Sequence, residues 1–275
     1  MNLPADFHFT QNNLQDYVDC PRRFQLKYIE KSAWPALESE PVLEVEEQLK
    51  LGSRFHNLIH QYFSGVDPSI LIEHCSEMEL RIWFNNFLSQ KSISIPAIRF
   101  PEYTLAAPFN GYRLLAKYDL IAIDPDLGAM ILDWKTSRKI PRRPWLEKRV
   151  QTRLYSFLLA FSGSALIHDF RVSSEHLSMS YWFTDFPEQS VTFKYDEMAF
   201  QNDRSYLESL TSEIISNGSS EFRKTDNIRV CSFCIYRSLC ERGERAGNIE
   251  ESEGFLDETD DLSDFSFADV EEIPF

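Results

Sequence analysis

The sequence predicts an α/β protein in which helices come first, a mixed sheet follows, and helices return. Two patterns carry that expectation. Apolar residues recur at helical spacing over 46–63 and 76–88. β-rich runs then take over between 98 and 135, interrupted by the turn cluster Asp124-Pro125-Asp126-Leu127-Gly128. With 43% hydrophobic residues, 22 Phe and 11 Tyr in 275 residues, there is enough apolar surface for one large folded domain, or one domain with an insertion.

Taken in order, Thr10 is placed to cap a first helix reaching about Cys20, with Leu14, Tyr17 and Val18 on one face. Pro21-Arg22-Arg23-Phe24 follows, and helical sequence continues through Tyr28. The Pro- and Glu-rich stretch 33–45 reads as a loop. After the helices at 46–63 and 76–88, strands are expected near 98–107, 112–124 and 129–135. Pro144 suits the first turn of a long helix ending near Phe161. Strand-like runs at His176–Phe183 and Ser190–Lys194 precede a last long helix, Asp196 to Ile215. The chain has no internal repeat.

No apolar run is long enough for a membrane helix; Tyr155–Ile167 is too short and is broken by Ser and Gly. The start, Met1-Asn2-Leu3-Pro4-Ala5-Asp6, lacks the basic and apolar stretches of a signal peptide. A cytoplasmic protein is expected, and its five cysteines should be ligands or buried thiols rather than disulfides. The net charge of −15 is unevenly spread. From Glu250 to Phe275 there are eleven Asp or Glu and no Lys or Arg, which leaves −4 for the rest. Lys135, Arg138, Lys139, Arg142, Arg143, Lys148 and Arg149 crowd together with only Glu147 against them. Such a cluster is either a solvated face or a surface for a phosphate backbone.

The chemistry concentrates just before that cluster. Asp119 lies in Ala116-Lys117-Tyr118-Asp119-Leu120-Ile121-Ala122-Ile123, and after the turn comes Ile131-Leu132-Asp133-Trp134-Lys135-Thr136. A hairpin of these two runs can bring Asp119 and Asp133 together. Two close carboxylates repel unless a cation lies between them, and oxygen ligands favour Mg²⁺ or Mn²⁺. Lys135, two residues past Asp133, points to the same face of its strand. There an ammonium can hold a nucleophilic water and offset charge developing on a phosphate. A surface ion pair would look the same in sequence. His56, on a helix, could add an imidazole, with His60 one turn later. Gln151 and Tyr155 share a helix face and could contact DNA or brace the active strands.

Cys231, Cys234 and Cys240 form C-x₂-C-x₅-C, and Cys20, preceding Pro21, is the candidate fourth ligand. Four thiolates suit Zn²⁺ or a 4Fe–4S cluster. One distant cysteine with a close trio favours the cluster over paired zinc knuckles, and it would tie both ends of the fold together. Cys75 is expected to be an ordinary thiol.

These residues together resemble the RecB-like branch of the PD-(D/E)XK nuclease superfamily, in particular its iron–sulfur exonucleases. That group includes the CRISPR-associated exonucleases and the AddB nuclease domain. The resemblance rests on Tyr17-Val18-Asp19-Cys20-Pro21-Arg22-Arg23-Phe24, Gly52 to His56, Glu102, Asp119, Asp133-Trp134-Lys135-Thr136, Gln151 with Tyr155, and the cysteine trio. It implies a restriction-endonuclease-like mixed central sheet flanked by helices, with an iron–sulfur-clamped helical region joining the N- and C-terminal segments. By the resemblance, His56, Asp119, Asp133 and the Trp134 carbonyl ligate Mg²⁺ or Mn²⁺. Lys135 orients water, Glu102 supports the site, and Gln151 and Tyr155 form the helix motif. Cys20, Cys231, Cys234 and Cys240 hold the 4Fe–4S cluster. Residues 163–195 and the acidic tail are additions to the simplest members, and no G-x-x-x-x-G-K-[ST] loop is present, so any unwinding falls to a partner.

The expected organisation is a nuclease domain over 1–247 and an acidic, disordered tail over 248–275. The expected function is metal-dependent hydrolysis of DNA, as an exonuclease on single strands or ends in repair, recombination or CRISPR adaptation. The second reading is a DNA-binding scaffold that keeps the fold and cluster without turnover. The tail ends Asp269-Val270-Glu271-Glu272-Ile273-Pro274-Phe275 and resembles the C-terminal tip of bacterial single-stranded DNA-binding proteins. That resemblance implies that Ile273, Pro274 and Phe275 enter a basic-rimmed apolar pocket on a replication or repair protein. Folding back onto the Lys135–Arg149 stretch is the weaker alternative.

Overall fold

The central strand of the sheet is β3 (Tyr112–Asp124), which pairs directly with three others. In the computed structural model, residues 3–33, 40–162, 172–217, 221–232 and 234–243 are described. β2 (Ile98–Phe109) runs antiparallel along one whole edge of β3. The other edge is shared: β1 (His8–Phe9) pairs parallel at Arg113 and Leu114, and β4 (Gly128–Lys135) pairs antiparallel from Leu120 to Asp124. β5 (Leu177–Phe183) lies parallel to β4, and β6 (Ser190–Tyr195) closes the edge antiparallel to β5. The result is a six-stranded mixed sheet.

Both faces are buried, as the dense apolar content of β3 and β4 requires. One face carries α1 (Gln11–Asp19), α7 (Val150–Ser162) and α8 (Glu197–Asn217), whose Leu14, Tyr17, Leu154, Phe157, Leu158 and Leu207 join one core. The other carries α3 (Glu40–Phe63), α4 (Pro68–His74) and α5 (Met78–Ser89). Phe55, Ile59, Trp83 and Phe87 there enclose Leu120, Leu132, Trp134 and Trp182 of the sheet. The mixed sheet between helical layers is the expected fold class.

The N-terminal segment is clamped to the chain's later part. α2 (Pro21–Phe24) runs into a wide π-helical turn, Gln25–Ile29. The Phe222 N–H donates to Gln25 Oε1 at 2.8 Å, Arg22 N–H to the Arg223 carbonyl at 3.1 Å, and Tyr17 Oη to Glu213 at 2.9 Å. Burial, with Glu213 beside it, pushes the Tyr17 phenol up to about 12.

Several expectations need correction. The 33–45 stretch is not all loop, because α3 starts at Glu40. Pro41 then falls in a first turn, where a missing N–H costs nothing. Val18 does not share the buried face of Leu14 and Tyr17; it is exposed. The long helix at 144–161 is two, α6 (Arg143–Lys148) and α7, separated by an extended Arg149. The Thr152 hydroxyl donates to the Leu146 carbonyl at 2.5 Å across that break. α4 and β1 were not anticipated, although Asp67-Pro68-Ser69 is a capping sequence: Asp67 accepts the Ser69 N–H at 2.8 Å. The turn before β4 does need its glycine, since Gly128 has φ +111° and an added Cβ would lie 2.0 Å from the His176 carbonyl oxygen.

Candidate active site and cysteine cavity

The sheet is deliberately irregular at one point. The β2–β3 ladder is continuous except at Glu102 opposite Asp119, and the β3–β4 ladder stops at Leu120–Leu132, one step before Asp119 would face Asp133. Side-chain alternation also skips a residue here. Leu114, Ala116 and Tyr118 face the α7 core, and Ile121 and Ile123, of the opposite parity, face it too. Across the gap Glu102 has φ +50°, a conformation uncommon outside glycine and enriched at functional sites. This kink aims the Glu102 and Asp119 carboxylates together.

His56 of α3 completes the group. One ligand atom each from His56, Glu102 and Asp119 lie within 4.8 Å of one another. His56 Nδ1 is 3.1 Å from Asp119 Oδ1, and Asp119 Oδ2 accepts the Trp134 N–H at 2.7 Å, so that carboxylate is oriented on both sides. Lys117 Nζ lies 2.5 Å from Glu102 Oε2. Burial and the neighbouring Asp119 nevertheless hold the Glu102 carboxyl above its ordinary range. A buried and a part-buried carboxyl with an imidazole converging this closely make a donor set suited to a hard divalent cation.

A second hydrogen-bonded group lies beside it. Asp133, 3% exposed, has Lys135 Nζ at 3.1 Å from Oδ2 and receives Gln151 Nε2 on Oδ1 at 2.6 Å. The Lys135 ammonium also donates to Gln151 Oε1 at 3.1 Å, and sits 5.7 Å from the Tyr181 ring centre. Gln151 therefore fixes both charged partners. Burial, then Asp133, raises the Tyr181 phenol above its ordinary value, and it stays neutral beside the pair.

The structure thus brings Asp119, Glu102 and His56 into one cluster and Asp133, Lys135 and Gln151 into another. Asp133 is outside the 4.8 Å group, and His60, half-buried, is outside it as well. Tyr155 is 1% exposed: its hydroxyl donates to the Lys117 carbonyl at 2.7 Å and its own carbonyl accepts Tyr118 Oη at 3.0 Å. Of the two roles open to it, bracing β3 fits this position and contact with DNA does not. The Trp134 ring is buried on the α3–α5 side, stacked on Phe63. Lys117, two residues before Asp119 on the same strand, is a further charged member of this site that the sequence pattern alone does not single out.

At the far end of α1, Cys20, Cys231, Cys234 and Cys240 line one cavity with Arg23, Lys224, Arg237 and Arg242. All five cysteines are unbridged, and Cys75 is buried elsewhere, in the α3–α5 core. Burial raises the Cys231, Cys234 and Cys240 thiols, with neighbouring cysteines adding to the rise, and Cys234 reaches about 11. Thiolates at such a site need a cationic ligand. Among the described residues no three cysteine sulfurs come within 4.8 Å of one another. Ile273, Pro274 and Phe275 lie outside the described residues. Among those described, no helix is long and apolar enough to cross a membrane.

A mixed sheet, helices on both faces, and paired carboxyls at a kink beside a lysine are the features of an α/β fold with a polar site where the β3–β4 ladder ends. Residues 8–241 match the model of the PD-(D/E)XK nuclease superfamily, and the chain belongs to that family. No curated protein matches it. Among solved structures it is similar to SSO0001 at 17% identity, with 85% of each chain covered and a TM-score of 0.41. It is also similar to a "Putative exonuclease" from Eubacterium rectale at 12% identity, with 89% of this chain and 90% of that one covered and a TM-score of 0.48.

Proposed function

We propose that this nuclease-family protein is a Mg²⁺- or Mn²⁺-dependent deoxyribonuclease that works from single strands or ends as an exonuclease. The observation that carries this reading is the pairing of the two groups: a convergent His56–Glu102–Asp119 set beside a lysine held by Asp133 and Gln151. His56, Glu102 and Asp119 would hold the cation, with Asp133 the next carboxylate to hand. A bound divalent cation supplies Lewis-acid polarisation of a phosphate oxygen and a more acidic water.

The protein's own groups account for the rest. Lys135 is presented as an ammonium between Asp133 and Gln151, with its Nζ directed by two acceptors. In that position it orients water for attack and offsets charge as it builds on the phosphate oxygens. Asp133, accepting from Gln151 and paired with Lys135, is the group beside which that water can give up a proton. The basic residues just beyond, Arg138, Lys139, Arg142 and Arg143, are exposed and suit a phosphate backbone entering the site.

A structural 4Fe–4S cluster on Cys20, Cys231, Cys234 and Cys240 belongs to the same proposal. Its support is the shared cavity, the basic residues that would offset a cluster's negative charge, and the spacing of the cysteines in sequence. Five unbridged cysteines support a reducing, cytoplasmic setting. Repair, recombination or CRISPR adaptation is the proposed context, with residues 1–247 as the nuclease domain. The tail over 248–275 would dock through Ile273, Pro274 and Phe275 on a repair or replication partner; its composition is the support.

Labelled single-stranded and double-stranded DNA, incubated with EDTA, Mg²⁺ or Mn²⁺, tests the activity. Mononucleotide or short products released only with metal support an exonuclease. Binding without cleavage under every condition would establish the silent scaffold instead. Deleting 268–275 should leave cleavage of naked DNA unchanged while removing partner binding; faster cleavage would point to autoinhibition.

A further inference from the structure

The α7 helix, which carries Gln151, begins without an acceptor of its own. Its preceding residue, Arg149, is extended and has a side chain that only donates, so it cannot cap the first turn. The free N–H groups of a helix start need partners from elsewhere. Gln15 of α1 supplies one: its Oε1 accepts the Val150 N–H at 3.0 Å, across 135 residues of sequence. The other end of the same amide is also used, since Gln15 Nε2 donates to Asp19 Oδ1 at 2.8 Å.

From Asp19 the contacts continue to the cysteine cavity. Arg23 donates to Asp19 Oδ2 at 2.9 Å, lies 2.8 Å from Asp16 Oδ1, and forms part of the cavity wall with Cys20. From Val150 they continue the other way, because the next residue is Gln151, which holds Asp133 at 2.6 Å and Lys135 at 3.1 Å. Asp19 to Arg23, Gln15 to Asp19 and Gln15 to Val150 are directional hydrogen bonds or ion pairs, Val150 and Gln151 are neighbours in the chain, and α1 and the start of α7 are helix.

We propose that Gln15 is a positioning residue: by capping α7 from α1 it sets the aim of Gln151 on Asp133 and Lys135, and it ties that aim to the Arg23 wall of the cysteine cavity. This rests on the nuclease reading of Asp133 and Lys135. Gln15 touches none of the reacting groups. Its effect is on where Lys135 is held, so it acts on turnover more than on substrate binding.

Steady-state cleavage of single-stranded DNA and amide hydrogen exchange at residues 150–155, on the full-length protein with its cysteine site loaded, test this together. Gln15→Ala should speed exchange at Val150 and lower kcat roughly 10- to 100-fold, the range for losing a group that orients an active residue, with KM within about twofold. Gln15→Glu keeps an oxygen for the Val150 N–H but loses the bond to Asp19 and sets a second carboxylate beside it, so it should recover both only in part. Iron content and the visible spectrum should be unchanged in both variants, which separates mispositioning from loss of the cluster. Wild-type kcat in Gln15→Ala, or a rate loss that Gln15→Glu leaves uncorrected, overturns the proposal. If the wild-type protein cleaves nothing, the nuclease reading fails, and unchanged Val150 exchange in Gln15→Ala then overturns the capping role as well. Should Gln15→Ala not fold, Gln15→Asn, one methylene short of Val150, replaces it in the same comparison.

Discussion

Asp119 accepts the backbone N–H of Trp134 at 2.7 Å, so a side chain from β3 takes over where the β3–β4 ladder ends. The strands fork there, and the carboxylate both closes the fork and joins His56 and Glu102.

Asp119→Asn and Asp119→Ala should therefore differ. Asn keeps an oxygen for the Trp134 N–H but loses the charge. In thermal melts it should hold near wild-type stability in EDTA while losing the stabilisation that Mn²⁺ confers on wild type. Ala leaves that buried N–H without its acceptor and should cost a further ~1–3 kcal/mol. Equal stabilities for the two variants would show that the Trp134 contact contributes nothing.

Lys135→Ala and Gln151→Ala should both lower kcat, with KM for DNA changing little, because each removes an interaction needed at the transition state. Their effects should be strongly non-additive, since Gln151 acts through Lys135 and Asp133. Kinetics of the two single variants and the double variant check this; simple additivity would separate the two residues' roles.

Glu102 makes stability fall with rising pH when no divalent cation is present. Burial and Asp119 raise its folded carboxyl above the ordinary 4.5, so the folded protein binds that proton more tightly than the unfolded chain. The stability it contributes is complete below 4.5 and is lost as pH rises through the folded value. Melting in EDTA from acid to neutral pH should show this slope, and Glu102→Gln should flatten it. A slope identical in Glu102→Gln would assign it to other groups.

Purified without oxygen, the protein should be brown and contain iron and acid-labile sulfide. Cys234→Ser, at the most strongly perturbed of the cavity thiols, should lose colour and soluble yield together, because the site joins α2 to the 221–243 segment. A colourless, stable protein containing zinc would replace the iron–sulfur assignment and leave the nuclease reading intact.

Periodicity and local chemistry made much of this protein readable as sequence. The β3–β4 hairpin follows from alternation around Asp124–Gly128, and α1 from the Thr10 cap, whose reciprocal bonds with Asn13 are both present. Asp119, Asp133 and Lys135 were legible because a strand repeats every two residues, and the cysteine trio because its spacing is short. The tertiary structure decided what depends on contacts between distant residues. Glu102 reaches His56 and Asp119 only because β2 kinks at φ +50° opposite Asp119, a backbone state its own sequence does not announce. Asp133 pairs with Gln151 and Lys135, Tyr155 turns inward to brace Lys117, and Gln15 caps a helix 135 residues away. Local sequence sets which groups are available and which face they take. Their partners are chosen by packing between elements, where the free energy of burial selects one arrangement among many that the local pattern allows.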